Sequence, residues 1–375
     1  MTALTPEIRA AEVVLPCPEL EETLAFFERL GFCVAAVFPA DDPSVAVIAG
    51  HGLRIRLERG GAGSPGVLRL LCSDPAAVAG GASELLAPNG TRVELVPSDP
   101  PLVLPPLQPS FVFTANGSSW GTGRAGMLYR DLIPDRQGGR FIASHIRISE
   151  GGLVPDYVHF HRVRFQMIYC YKGWVRVVYE DQGPPFVLHA GDCVLQPPRI
   201  RHRVLESSPG LEVIEISSPA EHETLADLEL ELPTSQVRPD RDFAGQRFVR
   251  HEAARAPWGP WREEGFEARD LEIAAATGGL AAGHVVRGRG ALRTDPSHHD
   301  AELLFTFVLD GAATLHCEGR GHPLGAGDSF VVPAGLTHAL TDCSSELALL
   351  EVSLPGRYST SRRRSGNTLE TLPSR

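Results

Sequence analysis

Apolar and polar residues alternate in short runs along most of this chain of 375 residues, which predicts β-strands separated by turns. A longer amphipathic run, ELEETLAFFERLGF at residues 19–32, predicts a helix that ends at Gly31. The preceding AEVVLP and the following FCVAAVFP, SVAVIAG and LRIRLER predict strands. GVLRLLCSD, PAAVAGGA and ELLAPNGTRVELV then repeat the order strand, short helix, strands in a shortened form. We therefore expect residues 1–100 to form an α+β domain.

This βαβββ order with a trimmed second module resembles the vicinal-oxygen-chelate family, which includes glyoxalase-like and bleomycin-resistance-like proteins. In catalytic members, metal ligands come from set strand positions. Glu94 matches a usual glutamate and Glu12 a usual histidine position, but Leu68 stands where a further ligand is expected. The alternative, which we favour, is that Glu12 and Glu94 are solvated or locally paired carboxylates. The domain would then be structural, mediate pairing, or cover a substrate.

A proline-rich stretch, SDPPLVLPPLQPS at residues 98–110, follows this domain. Such composition favours extended polyproline geometry, so residues 101–120 are predicted to be a linker.

The rest of the chain contains an internal repeat. RDLIPDRQGGRFIASHIRI, from Arg130, resembles RDLEIAAATGGLAAGHVVR, from Arg269. Each copy has short strands with turn signals and no long helix, which predicts a small β-barrel or jelly roll. We expect one barrel at residues 121–232, a second at 233–357 and a disordered polar tail at 358–375. Further positions match at a spacing of about 136 to 139 residues: Gly173 with Gly311, Gly191 with Gly327, Pro197 with Pro333, and His202 with His338.

Charge and cysteine content limit the partners. The formal net charge of -11 argues against nucleic acid, which would require a basic surface. Seven scattered cysteines without a CxxC pair suggest neither disulfides nor a cysteine zinc site. Neither a signal peptide nor a membrane-spanning run is recognisable. We expect a cytoplasmic protein with a small-molecule ligand and no membrane partner; a homodimer is compatible with the sequence.

The candidate chemistry lies in the first repeat. His159 and His161 stand two residues apart in VHFHRVRFQMIYCYKG, so in a strand both imidazoles leave the same face. Gln166 follows in the same segment, and HAGDCVLQPPRIRHRV supplies His202. Imidazoles are ligands of iron, nickel, copper and zinc, so these histidines predict a metal site.

The spacing His-x-His-x4-Gln-x6-Gly, followed by Gly-x5-Pro-x4-His, resembles the two motifs of the cupin superfamily over about residues 125–355. The resemblance implies that His159, His161, His202 and the residue at Gln166 converge on one divalent ion inside the barrel. The family usually has glutamate where this chain has Gln166. An amide leaves the dipositive charge unreduced, so the site should attract an anionic chelating substrate. Gln166 either ligates the ion or only hydrogen-bonds to bound water or substrate.

The second repeat keeps the closing motif but not the opening one. Only His299 and His338 align with ligand positions, while Ser297 replaces His159 and Leu304 replaces Gln166. His298 and Glu302 are neighbours that a local bulge would bring in. Two ligands rarely hold a metal against water, so we expect a degenerate, structural barrel.

Arg199 and Arg201 lie just before His202. Either would supply a charge-assisted contact to a substrate carboxylate or phenolate, or both are surface arginines on a loop.

Two-barrel cupins with one histidine-rich site resemble non-haem dioxygenases that cleave flavonols and β-diketones. We therefore expect an Fe(II)-dependent dioxygenase that cleaves a C–C bond of a small chelating anion, phenol or diketone; Mn, Ni, Cu and Zn are alternative ions. The alternatives are a metal-dependent lyase, isomerase or decarboxylase that needs no oxygen, and a non-catalytic protein that binds a small molecule.

Overall fold

The computed structural model describes residues 11–39, 42–290, 293–363 and 369–373. The chain divides into two compact units, Met1–Pro101 and Leu102–Arg375. Both are built mainly from short strands, as the alternating sequence pattern predicted. The described part of the chain has no helix with the length and apolar character needed to cross a bilayer.

The described residues of the first unit form two sheets and two helices. One sheet has the order β1-β4-β3-β2 and the other β5-β7-β6, with β1 parallel to β4 and β5 parallel to β7. The predicted order of elements is confirmed, and the predicted resemblance to the vicinal-oxygen-chelate family stays a prediction. The elements are β1 (Val13–Pro16), α1 (Leu20–Arg29), β2 (Cys33–Phe38), β3 (Val45–Gly50), β4 (Leu53–Glu58), β5 (Val67–Cys72), α2 (Pro75–Ala79), β6 (Glu84–Leu86) and β7 (Arg92–Pro97).

Glu12 and Glu94 of this unit are paired with arginines. Arg54 Nη2 lies 3.1 Å from Glu12 Oε1, and Arg69 Nη2 lies 2.7 Å from Glu94 Oε2. The hydrogen bond from Arg69 lowers the pKa of Glu94. These contacts favour the interpretation of both residues as locally paired carboxylates.

The second unit contains the repeat, and each copy folds as two facing sheets. Its first half consists of β8 (Val112–Thr114), β9 (Gly121–Thr122), β10 (Leu128–Asp131), β11 (Ile142–Ile148), β12 (Gly152–Leu153), β13 (His159–His161), β14 (Phe165–Lys172), β15 (Trp174–Tyr179), β16 (Phe186–His189), β17 (Cys193–Leu195), β18 (His202–Ser207), β19 (Leu211–Ser218) and β20 (Thr224–Ala226). Its second half consists of β21 (Val249–His251), β22 (Gly259–Pro260), β23 (Phe266–Asp270), α3 (Ile273–Ala276), β24 (Ala282–Gly288), β25 (Ser297–His299), β26 (Leu303–Asp310), β27 (Ala312–Cys317), β28 (Arg320–Gly325), β29 (Ser329–Val331), β30 (His338–Thr341), β31 (Ala348–Leu354), β32 (Ser359–Arg363) and β33 (Leu369–Pro373).

The first barrel has a seven-stranded sheet, β21-β17-β14-β19-β11-β10-β9, and a facing sheet, β16-β15-β18-β13-β20, with β12 on β18. The second barrel repeats this plan with β8-β29-β26-β31-β24-β23-β22 and β28-β27-β30-β25-β32-β33. The matching strand orders show that the sequence repeat is a structural repeat. Gly173 and Gly311 turn the chain between the paired strands of each copy with φ of +75° and +74°, a conformation that favours glycine.

The two seven-stranded sheets share one hydrophobic core. Every second side chain of each sheet faces the other barrel, and the alternate side chains face the barrel interior. Buried residues of the first barrel in this core include Phe141, Phe165, Met167 and Ile216, and those of the second include Phe305, Phe307, Leu350 and Val352.

Three predicted boundaries differ in the structure. The predicted linker contains β8, which pairs with β29 of the second barrel, so residues 102–120 belong to the barrel unit. β21, predicted to open the second barrel, pairs with β17 of the first. The tail predicted to be disordered is ordered at its start, because β32 pairs with β25. Residues 364–368 and 374–375 of that tail lie outside the described residues.

A buried polar network lies where the two barrels meet. Arg130 is fully buried, donates to the Gly327 carbonyl oxygen at 2.6 Å and donates to His145 Nδ1 at 2.9 Å. His145 Nε2 in turn donates to Glu212 Oε2 at 2.8 Å. Burial alone would raise the pKa of Glu212, but the hydrogen bond from His145 and the charges of Lys172 and Arg147 lower it to about 2.

We expect Glu212→Gln to destabilise the barrel unit by about 2–3 kcal/mol at neutral pH, because a charged acceptor is lost from a buried network. The carboxylate contributes fully above its ordinary pKa of 4.5 and progressively less as the pH falls toward 2. The difference from wild type should therefore shrink below about pH 4.5. Urea unfolding followed by tryptophan fluorescence tests this, since all four tryptophans lie in the barrel unit.

Glu206→Gln is a matched control. Glu206 lies on β18 in an exposed pair with Arg176 at 3.9 Å, so its loss should change stability by less than about 1 kcal/mol. An equal effect of both substitutions would contradict the importance of the network.

Candidate metal centre

Three histidines converge inside the first barrel. His159 and His161 are the first and last residues of β13, and His159 pairs in register with His202, the first residue of β18. The ring centroids lie 4.2 Å apart for His159 and His202, and 5.2 Å from His161 to each of the others. One potential ligand atom from each lies within 4.8 Å of the other two. Strand alternation and register thus bring together the three residues that the sequence singled out.

The hydrogen bonds at Nδ1 fix the orientation of these rings. Nδ1 of His159 donates to the Tyr157 carbonyl oxygen at 2.9 Å, and Nδ1 of His202 donates to the Ile200 carbonyl oxygen at 3.0 Å. Nδ1 of His161 lies 3.0 Å from Thr224 Oγ1. This leaves Nε2 of each ring as the acceptor: Arg124 Nη2 donates to His159 Nε2 at 3.0 Å, and Gln196 Nε2 donates to His202 Nε2 at 2.9 Å. An ion bound by these histidines would take the place of the two donors.

The electrostatics keep the three rings neutral. Burial lowers the pKa of His159, His161 and His202. Neighbouring histidines lower the pKa of His161 and His202 further, and the charge of Arg124 lowers that of all three. The pKa of His161 falls to about 2. Neutral imidazole is the form that ligates metals, so this donor set fits a divalent ion such as iron, manganese, nickel, copper or zinc.

Gln166 faces the same cavity and is almost completely buried. Its Nε2 donates to Glu215 Oε1 at 2.9 Å, so the neighbouring strand β19 holds the amide. Direct ligation by Gln166 stays a prediction. Glu215 was not singled out from the sequence, although it matches Glu351 in the repeat, EVIEIS against ALLEVS.

A second residue that the sequence reasoning missed is Arg124. It lies just after β9, and its Nη1 donates to Asp156 Oδ1 at 2.6 Å. Its Nη2 lies 3.0 Å from His159 Nε2, so a guanidinium charge borders the histidines. The repeated WG-x2-R pattern, Trp120 to Arg124 and Trp258 to Arg262, was the signal in the sequence that could have identified it.

The two arginines proposed from the sequence lie elsewhere. Arg201 Nε donates to Asp227 Oδ2 at 3.1 Å, and its guanidinium stacks on Phe160. Because His202 faces inward, its neighbour Arg201 faces outward. Arg199 lies in the turn before β18 with φ of +64° and is also absent from the described lining of the cavity. The prediction that Arg199 or Arg201 contacts substrate stays a prediction, and the arginine that lines the described cavity is Arg124.

The histidines open onto a cavity of about 360 Å³. Arg124, Gln196, His222 and Thr224 contact the histidines, and much of the remaining wall is aliphatic. The aliphatic lining residues are Ile142, Ile146, Ile148, Ile168, Val175, Val177, Leu188, Val194, Val204, Leu211 and Val213.

The second barrel is filled at the corresponding place. His299 Nε2 donates to the Val332 carbonyl oxygen at 3.0 Å, and its Nδ1 accepts from the Ala301 amide at 3.1 Å, so both ring nitrogens are occupied. Glu302, which the sequence offered as a possible additional ligand, pairs with Arg140 and Arg164. A cavity of only about 60 Å³ lies beside His299 and His338, and a separate cavity of about 310 Å³ is lined by residues that include Arg262, His284 and Glu351. Within the described residues, the three histidines of the first barrel form the one cluster suited to a metal ion.

Comparison with known proteins supports the predicted resemblance to the cupin superfamily. Residues 281–353, within the second barrel, match the family model described as a cupin domain. No curated protein matches the sequence.

Solved structures with similar folds include two enzymes. The Mn(II)-containing oxalate decarboxylase of Bacillus subtilis is 15% identical, with a TM-score of 0.51 over 70% of this chain and 81% of that one. A glycine-to-alanine mutant of salicylate 1,2-dioxygenase from Pseudoaminobacter salicylatoxidans, in complex with gentisate, is 16% identical, with a TM-score of 0.50 over 67% and 83% of the two chains. At these identities the likeness shows the fold alone.

We expect the purified protein to carry about one equivalent of transition metal per chain and His202→Ala to retain less than about a tenth of that. Elemental analysis of both proteins measures this. The matched control is His338→Ala, the equivalent position of the second barrel, which should leave the metal content unchanged. Equal losses in the two variants would contradict a site confined to the first barrel.

Proposed function

We propose that this protein is a metal-dependent dioxygenase, with Fe(II) as its native ion, that cleaves a C–C bond of a small chelating anion such as a phenolate or diketone enolate. The observation that carries the proposal is the cavity in the first barrel. It offers three neutral imidazoles and one arginine at one end and aliphatic walls elsewhere.

The charges at the histidine end favour an anion. Three neutral histidines and the neutral Gln166 leave the dipositive charge of an ion unreduced, and Arg124 adds a further positive charge. Glu215 lies beside Gln166, so its carboxylate partly offsets this charge. A substrate that carries a negative charge and two neighbouring oxygens fits this end best.

Each group of residues then has a distinct task. Arg124 binds an anionic oxygen of the substrate through a charge-assisted hydrogen bond, and the aliphatic walls exclude water and hold the apolar body. Gln166, held by Glu215, presents a neutral amide at the edge of the site. The ion supplies coordination of the substrate oxygens and the one-electron chemistry that reaction with O₂ requires.

The solved structures of similar fold support a metal-dependent reaction without deciding its class, since they include a dioxygenase and a decarboxylase. The aliphatic cavity favours the former class for this chain. A dicarboxylate as small and polar as oxalate would leave those walls without contacts.

Oxygen consumption tests the reaction class. With Fe(II)-loaded protein and a panel of small aromatic and diketone anions, we expect substrate loss to be matched by O₂ uptake and to stop under strict anaerobiosis. His161→Ala should abolish both. Turnover that continues unchanged without oxygen would instead favour a lyase, isomerase or decarboxylase.

Charge selectivity tests Arg124. Metal-loaded wild-type protein should bind salicylate more tightly than its neutral analogue salicyl alcohol, and Arg124→Met should weaken salicylate binding about 10- to 100-fold. Titration calorimetry measures both affinities. Arg201→Met is the matched control, because Arg201 lies outside the cavity, and it should bind like wild type. An unchanged preference for the anion in Arg124→Met would contradict the assigned role.

A further inference from the structure

The two barrels carry the same arginine in two different positions. Trp120-Gly121 precedes Arg124 as Trp258-Gly259 precedes Arg262, and the intervening strands β9 and β22 take equivalent places in their sheets. The internal repeat therefore allows a comparison of two copies of one structural element within a single chain.

Each barrel also has a glutamate on the equivalent strand. Glu215 on β19 lines the cavity of the first barrel, and Glu351 on β31 lines the corresponding cavity of the second. Both are followed two residues later by a serine. The guanidinium and the carboxylate are thus present in both copies, and only their pairing differs.

In the second barrel the two groups bind each other. Arg262 Nη1 and Nη2 donate to the two carboxylate oxygens of Glu351 at 2.7 and 2.5 Å, and Tyr358 also donates to Glu351. Arg262 and Glu351 line two separate cavities, one of about 60 Å³ beside His299 and His338 and one of about 310 Å³ beside His284.

In the first barrel the two groups are held apart. Arg124 binds Asp156, and Glu215 accepts from Gln166. The cavity beside the histidines measures about 360 Å³. The position of the arginine therefore accompanies the difference in the space beside the histidines, which is large in the first barrel and small in the second.

Two residue differences between the barrels distinguish the copy in which the arginine binds the glutamate from the copy in which it does not. Asp156 Oδ2 accepts from the Val204 amide at 3.0 Å, and Thr294 Oγ1 accepts from the Leu340 amide at 2.8 Å, so Asp156 and Thr294 take equivalent places. A threonine hydroxyl keeps this backbone hydrogen bond but offers no charge to a guanidinium.

The second difference lies on β14 and β26. Leu304 in the second barrel occupies the position of Gln166 and has no donor to offer Glu351. A buried carboxylate without a polar partner is costly, so Glu351 takes the arginine.

We infer that Asp156 is a positioning residue that holds Arg124 away from Glu215 and thereby keeps the first-barrel cavity open. Without this carboxylate, Arg124 pairs with Glu215 and reduces the space beside the histidines, as Arg262 does in the second barrel. The inference rests on the proposed function only in taking this cavity as the substrate site.

The test is the Asp156→Thr variant, which copies the second barrel. Crystal structures of wild type and variant should show Arg124 moved from residue 156 to Glu215. With protein loaded with redox-inert Zn(II), we expect the metal content to be unchanged and the affinity for salicylate to fall at least tenfold. Asp227→Thr is the matched control, since Asp227 pairs with Arg201 outside the cavity, and it should bind like wild type.

A double variant distinguishes an effect of the Arg124–Glu215 pair from a general loss of structure. Asp156→Thr combined with Glu215→Gln removes the charge that would attract Arg124, so salicylate affinity should recover to within about threefold of wild type. If Asp156→Thr does not fold, Asp156→Asn keeps an acceptor for the Val204 amide and should show the same direction of change.

Two results would overturn the inference: Arg124 away from Glu215 in the Asp156→Thr crystal structure, or no recovery in the double variant. Since Zn(II) supports no oxygen chemistry, a failure of the dioxygenase assignment would appear only in the oxygen-uptake experiment. The crystal structures decide the position of Arg124 even if salicylate does not bind.

Discussion

Side chains on paired strands must point alternately to the two faces of a sheet, and the candidate site depends on this constraint. On β13, β14, β18 and β19 it directs His159, His161, Gln166, His202 and Glu215 into one barrel interior. The same alternation sends Arg201 to the outside, and on β14 and β19 it places apolar residues such as Met167 and Ile216 in the core between the barrels. On these two strands, one face therefore supplies Gln166 and Glu215 to the cavity and the other supplies the hydrophobic interface.

Features set by local pattern could be predicted from the sequence. The order of elements in the first unit, the two barrels and the convergence of the three histidines follow from periodicity, turn residues and spacing. Features set by long-range pairing could not. The repeat aligns Arg130 with Arg269 and His145 with His284. In the structure His145 pairs with Arg130, but His284 pairs with Asp270, one residue beyond Arg269, so the two rings occupy opposite faces. A one-residue difference in a connecting loop is enough to produce this change.

The difference between the two barrels shows how few residues decide whether the space beside the histidines is open. The fold, the arginine and the glutamate are common to both copies. A buried charge requires a partner, and the available partners differ: Asp156 and Gln166 in one copy, Thr294 and Leu304 in the other. The second barrel, which has Ser297 at the position of His159, thus also differs in ion pairing and has little space beside His299 and His338.

The reciprocal placement of β8 and β21 affects how the chain can be divided and how it is synthesised. Each short strand completes the sheet of the barrel to which it does not belong in sequence. A fragment cut between the repeats would expose a sheet edge in each half, so neither half is an autonomous module. During translation β8 leaves the ribosome long before β29, so β8 can pair only after most of the second repeat has been synthesised.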